Sequence, residues 1–243
     1  GRILGQDSLG LYQIALSIPL LLGVRATVLI HQISMPTYAL LQEDRQGIAR
    51  VFELQMGLVG FMFIPLATGV AVLAPIIVPL AFGPQWLVIV EPLRVLCVYA
   101  VLAGYSSVMT ALHYGVNRPD LQMMSWRGQF LFYAVAIVPL TMGFGLTGAA
   151  AALVSSYIVG VFLQGIGTRE LLGPVVSSIL WPTGRACLLA GLLAVMILLL
   201  SDTGSSLSLS WVLASACLGG LGLYSYYLWL VEVPRLKVLW EHR

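Results

Sequence analysis

The sequence predicts an all-α protein, a polytopic membrane bundle of about seven transmembrane helices. Of its 243 residues, 59% are hydrophobic and only 9% charged, with a mean hydropathy of +0.96. A soluble domain carries about a quarter charged residues, so a water-soluble globule is excluded. Apolar runs of about eighteen residues or more recur along the whole chain, each long enough to cross a bilayer as a helix. Runs such as LLAGLLAVMILLL (188–200) are apolar on every face, whereas an outer-membrane barrel strand is apolar at every second residue.

The first span, about 9–36, is a long apolar stretch interrupted by Arg25 and followed by His31 and Gln32. The second, about 48–73, follows a short polar loop, and the third, about 86–113, follows FGPQ. The fourth, about 119–141, opens on Pro119, with Asp120 expected to cap it. GFGLTG then turns the chain into the fifth, about 145–167, where spacings such as Gly148 to Ala152 permit close approach of a neighbouring helix. The sixth and seventh, about 175–200 and 207–231, are more uniformly apolar outside their ends and are expected to be peripheral and largely lipid-facing. Pro19, Pro65, Pro92 and Pro139 fall inside four of the spans. Each proline removes a helical hydrogen bond and kinks the rod, and Pro19 and Pro65 are candidate hinges.

Loop charge gives the orientation. Arg45, Arg50, Arg118, Arg127, Arg169, Arg185, Arg235, Lys237 and Arg243, nine of the twelve basic residues, fall on one side; FGPQ, GFGLTG and SDTGSSLSLS contain none. The positive-inside rule makes the basic side cytoplasmic, which puts the N-terminus outside and the C-terminus inside. Tyr224, Tyr226, Tyr227 and Trp229 at the inner end of span seven, with Trp86 and Trp211 at outer ends, suit interfacial belts.

Several chemistries are excluded. GFGLTG matches a dinucleotide fingerprint in letters only, because it lies between two membrane helices and not in a strand–helix unit. The only lysine, Lys237, is in the tail, so a retinal Schiff base has no mid-membrane partner. Cys97, Cys187 and Cys217 are scattered singly in apolar segments, with no metal or disulfide spacing. His31, His113 and His242 lack an acidic or cysteine partner at useful spacing, and Asp7, Asp120 and Asp202 sit in turns. No catalytic set, metal site, cofactor or nucleic-acid surface is expected, and an enzyme is not the reading.

What remains is charge at membrane depth. Arg25 lies some 16 residues into span one, about 24 Å if that span starts at Leu9. An unpaired arginine at a helix centre costs about 2.5–3.5 kcal/mol on insertion scales, so it faces a cavity or a partner. Gln32, seven residues on, shares its face within about 20°, while His31 is roughly 120° away. Two readings stay open for Arg25: structural pairing, with Glu53 the candidate carboxylate, or a cavity site for an anionic ligand. Arg94 follows Glu91 by three residues, and the pair either neutralises itself along the helix or lends Arg94 to the same cavity.

Four stretches together resemble a family. GRILGQDSLGLYQIALSIP (1–19), ISMPTYALLQEDRQGIARVF (33–52), LAPIIVPLAFGPQWLVIVEPLRVLCV (73–98) and GLTGAAAAL (145–153) resemble, in order and spacing, the Wzx-like polysaccharide flippases of the MATE-like superfamily. They look like that family's entry to the eighth of fourteen helices, a helix-ending proline before a cytoplasmic loop, an FGxxW outer turn with an LRxL helix, and the next outer turn. The resemblance implies half of a two-lobe MATE-like fold. Residues 1–170 would form the C-terminal lobe bundle and 171–243 an appended helix pair with a short cytoplasmic tail. The N-terminal lobe is expected elsewhere in the same protein, so the chain reads as a piece of a longer one.

The implied activity is translocation, by alternating access, of a lipid-linked oligosaccharide on a polyprenyl diphosphate such as undecaprenyl diphosphate. It would serve O-antigen, lipopolysaccharide or other surface polysaccharide synthesis at the bacterial cytoplasmic membrane. An arginine fork binds phosphate oxygens bidentately and stays charged. On this reading Arg25 receives the diphosphate, Gln32 and Arg94 line the route, and His31, Glu53 and Glu91 support them. A multidrug or cation-coupled exporter of the same superfamily, or a non-transporting membrane scaffold, is the alternative.

Overall fold

The computed structural model describes residues 5–173 together with 184, 186–188, 190–192 and 194–195, apart from the side chains of residues 6, 7, 21–26 and 29. Four long helices account for nearly all of it: α1 (Gln6–Leu40), α2 (Arg45–Phe82), α3 (Val90–Gly115) and α4 (Pro119–Leu172), with a 3-10 turn at Pro84–Ile89 between α2 and α3. The chain is therefore a polytopic helical membrane bundle. α2, the turn with α3, and α4 are each long and apolar enough to span a bilayer. At 35 and 38 residues, α1 and α2 run to about 52 and 57 Å, well beyond a hydrocarbon core of about 30 Å.

α4 is two helices in one. Its 54 residues break at Gly145, where φ 58 and ψ −132 lie in a region that favours glycine. A side chain at Gly148 would fall on the Leu140 carbonyl, so the two arms can turn this tightly only because residue 148 is glycine. The arms pack along small residues, with Gly128 facing Leu163 and Gly160 facing Gln129. Ala152 is fully buried in the second arm, as its spacing from Gly148 suggested. Spans four and five of the sequence reading are these two arms.

α3 is the central rod. It packs against α1, α2 and both arms of α4, whereas α1 scarcely meets its sequence neighbour α2. Glycines set the α2–α3 distance: a methyl at Gly104 would lie 2.9 Å from Val59 Cγ1, and one at Gly60 would strike the Tyr105 hydroxyl. Around this seam Phe52, Met56, Phe63, Val108, Met109 and Leu112 form one core, next to the arginine-bearing loops. A second core, of Ala67, Val78, Ile89, Leu93, Leu96 and Ala150, fills the opposite end.

Four local expectations change. Pro36 does not end the first helix, which continues to Leu40 before the Leu41–Asp44 turn. Pro92 interrupts nothing: it is buried in the first turn of α3, where its missing N–H has no helical acceptor to lose. Asp120 does not cap α4; it lies one residue inside, paired with Arg118, where a carboxylate still suits the helix dipole. The second span reaches Phe82, nine residues past its expected end near 73 (82 − 73). Asp44, by contrast, caps α2 by accepting from the backbone N–H of Gln46 and Gly47 at 3.1 and 2.9 Å.

Of the sixth span, the described residues between 184 and 195 are helical, and Ala186 and Ala190 lie buried against Ile64 of α2 while Leu188 and Leu192 face outward. The seventh span and the tail lie outside the described residues.

Candidate functional site

α3 presents two unlike sides. The Gly104 side closes on α2, while Ala100, Ala103, Ser107 and Thr110 recur at intervals of three or four residues and form a stripe of small side chains. Small residues along one helical line leave a hollow. Between this stripe, α1 and α4 lies a cavity of about 310 Å³, room for on the order of ten waters and at the small end of ligand pockets.

Its wall mixes polar and apolar side chains. Hydroxyls come from Ser106, Ser107 and Thr110 of α3 and Thr27 of α1; His31 adds an imidazole. Trp126 of the first α4 arm and Tyr157 of the second supply aromatic faces, and Tyr157 meets Tyr99 of α3 edge-on, with centroids 4.7 Å apart at 86°. Pro19 and Leu20 close the wall on α1. Ringed apolar faces beside hydroxyls suit a sugar, which offers a C–H face and a rim of hydroxyls.

Beyond Thr110 the polar character continues inward. His113, Gln122, Gln164 and Thr168 have no solvent exposure, and they join α3 to both arms of α4. His113 Nδ1 is 3.2 Å from Gln122 Oε1 and Nε2 is 3.2 Å from Thr168 Oγ1. Gln164 Nε2 donates to Gln122 Oε1 and Thr110 Oγ1 at 3.3 and 3.4 Å. Gly167 lets the second arm come this close, since an added Cβ there would lie 3.2 Å from the Leu121 Cβ. Past the network Arg118 donates to Asp120 at 2.9 Å and Glu170 at 3.1 Å, clasping the start of α4 to its end.

The residues singled out in the sequence spread over this frame. His31 is half-buried in the cavity wall, and Pro19 lines it. Gln32 is exposed on α1. Arg25 sits on α1 between the wall residues Leu20 and Thr27, but its side chain lies outside the described residues. Glu53 is exposed on α2, and Pro65 is within that helix. Arg94 donates to Glu91 at 2.7 Å and to the Ala71 carbonyl at 3.2 Å, tying α3 to α2. Among the described residues no group of three or more His, Cys, Asp or Glu is placed to hold a metal.

Sequence reasoning did not single out Thr27, Tyr99, Ser106, Ser107, Thr110, Trp126 or Tyr157. The small-residue stripe in span three was the available signal. It also set His113 aside, whose partners stand 9 and 55 residues away and are amides or hydroxyls.

Comparison with known proteins bears on this arrangement. Residues 1–91 match a family described as "Polysaccharide biosynthesis protein". The lipopolysaccharide biosynthesis protein WzxC of Escherichia coli (strain K12) is 24% identical over 177 residues, covering 73% of this chain and 35% of that one. The teichuronic acid biosynthesis protein TuaB of Bacillus subtilis (strain 168) is 23% identical over 186 residues, covering 75% and 38%. The chain thus spans little more than a third of the length of these curated relatives. Among solved structures, the lipid II flippase MurJ in its inward closed conformation has a similar fold, with a TM-score of 0.69 at 16% identity over 92% of this chain and 47% of that one.

Proposed function

We propose that this chain, a polysaccharide flippase-like family member, forms one wall of a path by which a lipid-linked oligosaccharide crosses the membrane. The observation that carries the reading is the cavity between α1, α3 and α4, lined by hydroxyls and aromatic faces. A sugar headgroup cannot pass through hydrocarbon without replacing its hydrogen bonds, whereas the attached polyprenyl tail is at home there. Hydroxyl-lined walls replace those bonds, and Trp126, Tyr99 and Tyr157 cover the sugar's apolar face.

In this reading the diphosphate goes to Arg25, on the stretch of α1 between the wall residues Leu20 and Thr27, and Gln32 lies further along the same route. Arg94 keeps Glu91 and the Ala71 carbonyl and takes a supporting place. Pro19, in the wall itself, is the point where α1 bends as the cavity changes access, while Pro65 lies within α2, which packs on α3 and serves as the frame. Residues 1–170 act as one lobe and 171–243 as an appended helix pair, with the basic loops cytoplasmic, in a bacterial inner membrane. A second lobe of the same protein completes the cavity. The work is movement of substrate, with no covalent step.

The test is export. Arg25→Ala in the full-length protein is expected to abolish glycan export while leaving its level in the membrane unchanged; normal export would remove Arg25 from the proposal. Reconstituted vesicles separate the class of activity, since lipid-linked sugar movement, drug efflux and neither are distinct readouts.

A further inference from the structure

Given the sugar-binding reading of the cavity, on which this rests, we propose that Tyr12, Tyr99, Tyr133 and Tyr157 form a second sugar subsite. It lies at the end of the cavity away from the arginine-bearing loops, so that the chain holds two consecutive sugars of one glycan.

Helical register brings the four tyrosines together. Pro19 and Trp126 line the cavity on α1 and on the first arm of α4. Tyr12 precedes Pro19 by seven residues and Tyr133 follows Trp126 by seven, so each lies on the same helix face two turns away, about 10 Å. α1 ends, and α4 begins, beside the arginine-bearing loops, so both steps lead to the opposite end. Tyr99 is the wall residue of α3 nearest that end, and it meets Tyr157 of the second arm edge-on, with centroids 4.7 Å apart. Tyr12 packs on the same apolar core as Tyr99 and stands within electrostatic reach of both Tyr99 and Tyr133. Four helical segments thus each bring one phenol to a single layer.

That layer is neither an interfacial belt nor core packing. Interfacial tyrosines sit at helix ends, but Tyr133 and Tyr157 stand near the middle of their arms, each twelve residues from the break at Gly145. A core tyrosine is sealed and partnered, as Tyr38 is, buried and donating to Gln55. The four of the layer are only half-buried. Among the described residues, neither the Tyr12 nor the Tyr133 hydroxyl has a hydrogen-bond partner. The layer therefore offers a ligand aromatic faces together with hydroxyls that both donate and accept. Phenols are uncharged at neutral pH, which suits a neutral sugar.

The cavity, at about 310 Å³, is small for a ligand pocket and suits one sugar ring. The next ring of a glycan hangs on one bridging oxygen and has to border the first. Along α3 one border is closed, because past Thr110 come His113, Gln122 and Gln164, none with any solvent exposure. The other border is the tyrosine layer.

The experiment is saturation-transfer NMR of the full-length protein in a detergent without a sugar headgroup, titrated with methyl α-glucoside, a single ring, and with methyl α-maltoside, a double one. The double-ring probe is expected to bind about tenfold tighter. Tyr133→Ala and Tyr12→Ala are each expected to reduce that advantage while binding of the single-ring probe stays unchanged, which also shows that the variants are folded. Equal affinity for the two probes, or an advantage that survives both substitutions, overturns the second subsite and leaves the sugar reading of the cavity standing. Equal weakening of both probes by each substitution gives Tyr12 and Tyr133 a structural role alone and overturns the subsite as well. Binding of neither probe overturns the sugar reading of the cavity, and the subsite with it.

Discussion

Alanine at Gly104 should be less well tolerated than alanine at Gly69, although both lie inside apolar helices. At Gly69 of α2 an added Cβ meets nothing within 4 Å, so Gly69→Ala should gain up to about 1 kcal/mol of helix propensity. At Gly104 the same atom would lie 2.9 Å from Val59 Cγ1 and 3.3 Å from two atoms of the Phe63 ring. Both neighbours are buried, at 3% and 2% exposure, so neither can swing away, and α2 and α3 must separate by a few tenths of an ångström. Overpacking of that kind costs about 1–3 kcal/mol. Gly104→Ala should then fall below Gly69→Ala by that same margin of about 1–3 kcal/mol, measured by SDS titration of folded protein in mixed micelles. Val59→Ala removes Cγ1 and should recover part of the loss, with a coupling of about 0.5–3 kcal/mol in the double-mutant cycle. Equal stability of the two glycine variants, or additivity of Val59→Ala with Gly104→Ala, would refute the glycine seam.

Asp44→Ala removes the acceptor for two backbone N–H groups at the start of α2 and should cost about 1 kcal/mol in the same titration. Ala103→Trp places a large ring in the cavity of about 310 Å³; if the proposed function holds, lipid-linked sugar movement by the full-length protein in vesicles should fall by about tenfold or more, equivalent to some 1.4 kcal/mol, with the protein still monodisperse. Arg118→Lys keeps the charge but loses the fork that reaches both Asp120 and Glu170. Limited proteolysis between α3 and α4 should therefore quicken for Arg118→Lys, more so in high salt, which screens the remaining single contact.

Much of the bundle was legible because lipid leaves the chain few options. With no water to satisfy backbone groups, an apolar run of about twenty residues is a helix, and so 119–141 and 145–167 appear as the two arms meeting at Gly145. Ends were less legible. Pro36 reads as a stop, yet α1 continues for four more residues because a proline costs one hydrogen bond, and Tyr38, buried and donating to Gln55 at 2.6 Å, holds the extra turn in place. Arg94 and Glu91 were visible as a pair through their spacing of three, but the Ala71 carbonyl, 23 residues away, was not. The cavity was hidden for a different reason. A hollow is made by what α3 lacks at Ala100, Ala103 and Ser107, and a run of small residues reads equally as a seam for helix packing until the neighbour on each side is known.

That ambiguity is resolved differently on the two sides of one helix, and the consequence is mechanical. Gly104 lets α3 sit as close to α2 as side chains allow, while one residue back Ala103 faces open volume. Force applied to α3 from the cavity therefore meets a rigid stop at Val59 and Phe63 on one side and empty space on the other. α1 rests on α3 and scarcely touches α2, so bending it leaves the α2–α3 seam in place. Pro19 lies in the cavity wall, where its missing hydrogen bond makes α1 easiest to bend. If access to the cavity changes by bending, the moving part is α1 about Pro19, and α2 with α3 is the frame it moves against. On the proposed function, Pro19→Ala in the full-length protein should then slow sugar movement in vesicles without lowering stability in micelles. Gly104→Ala, which disturbs the frame, should lower both together.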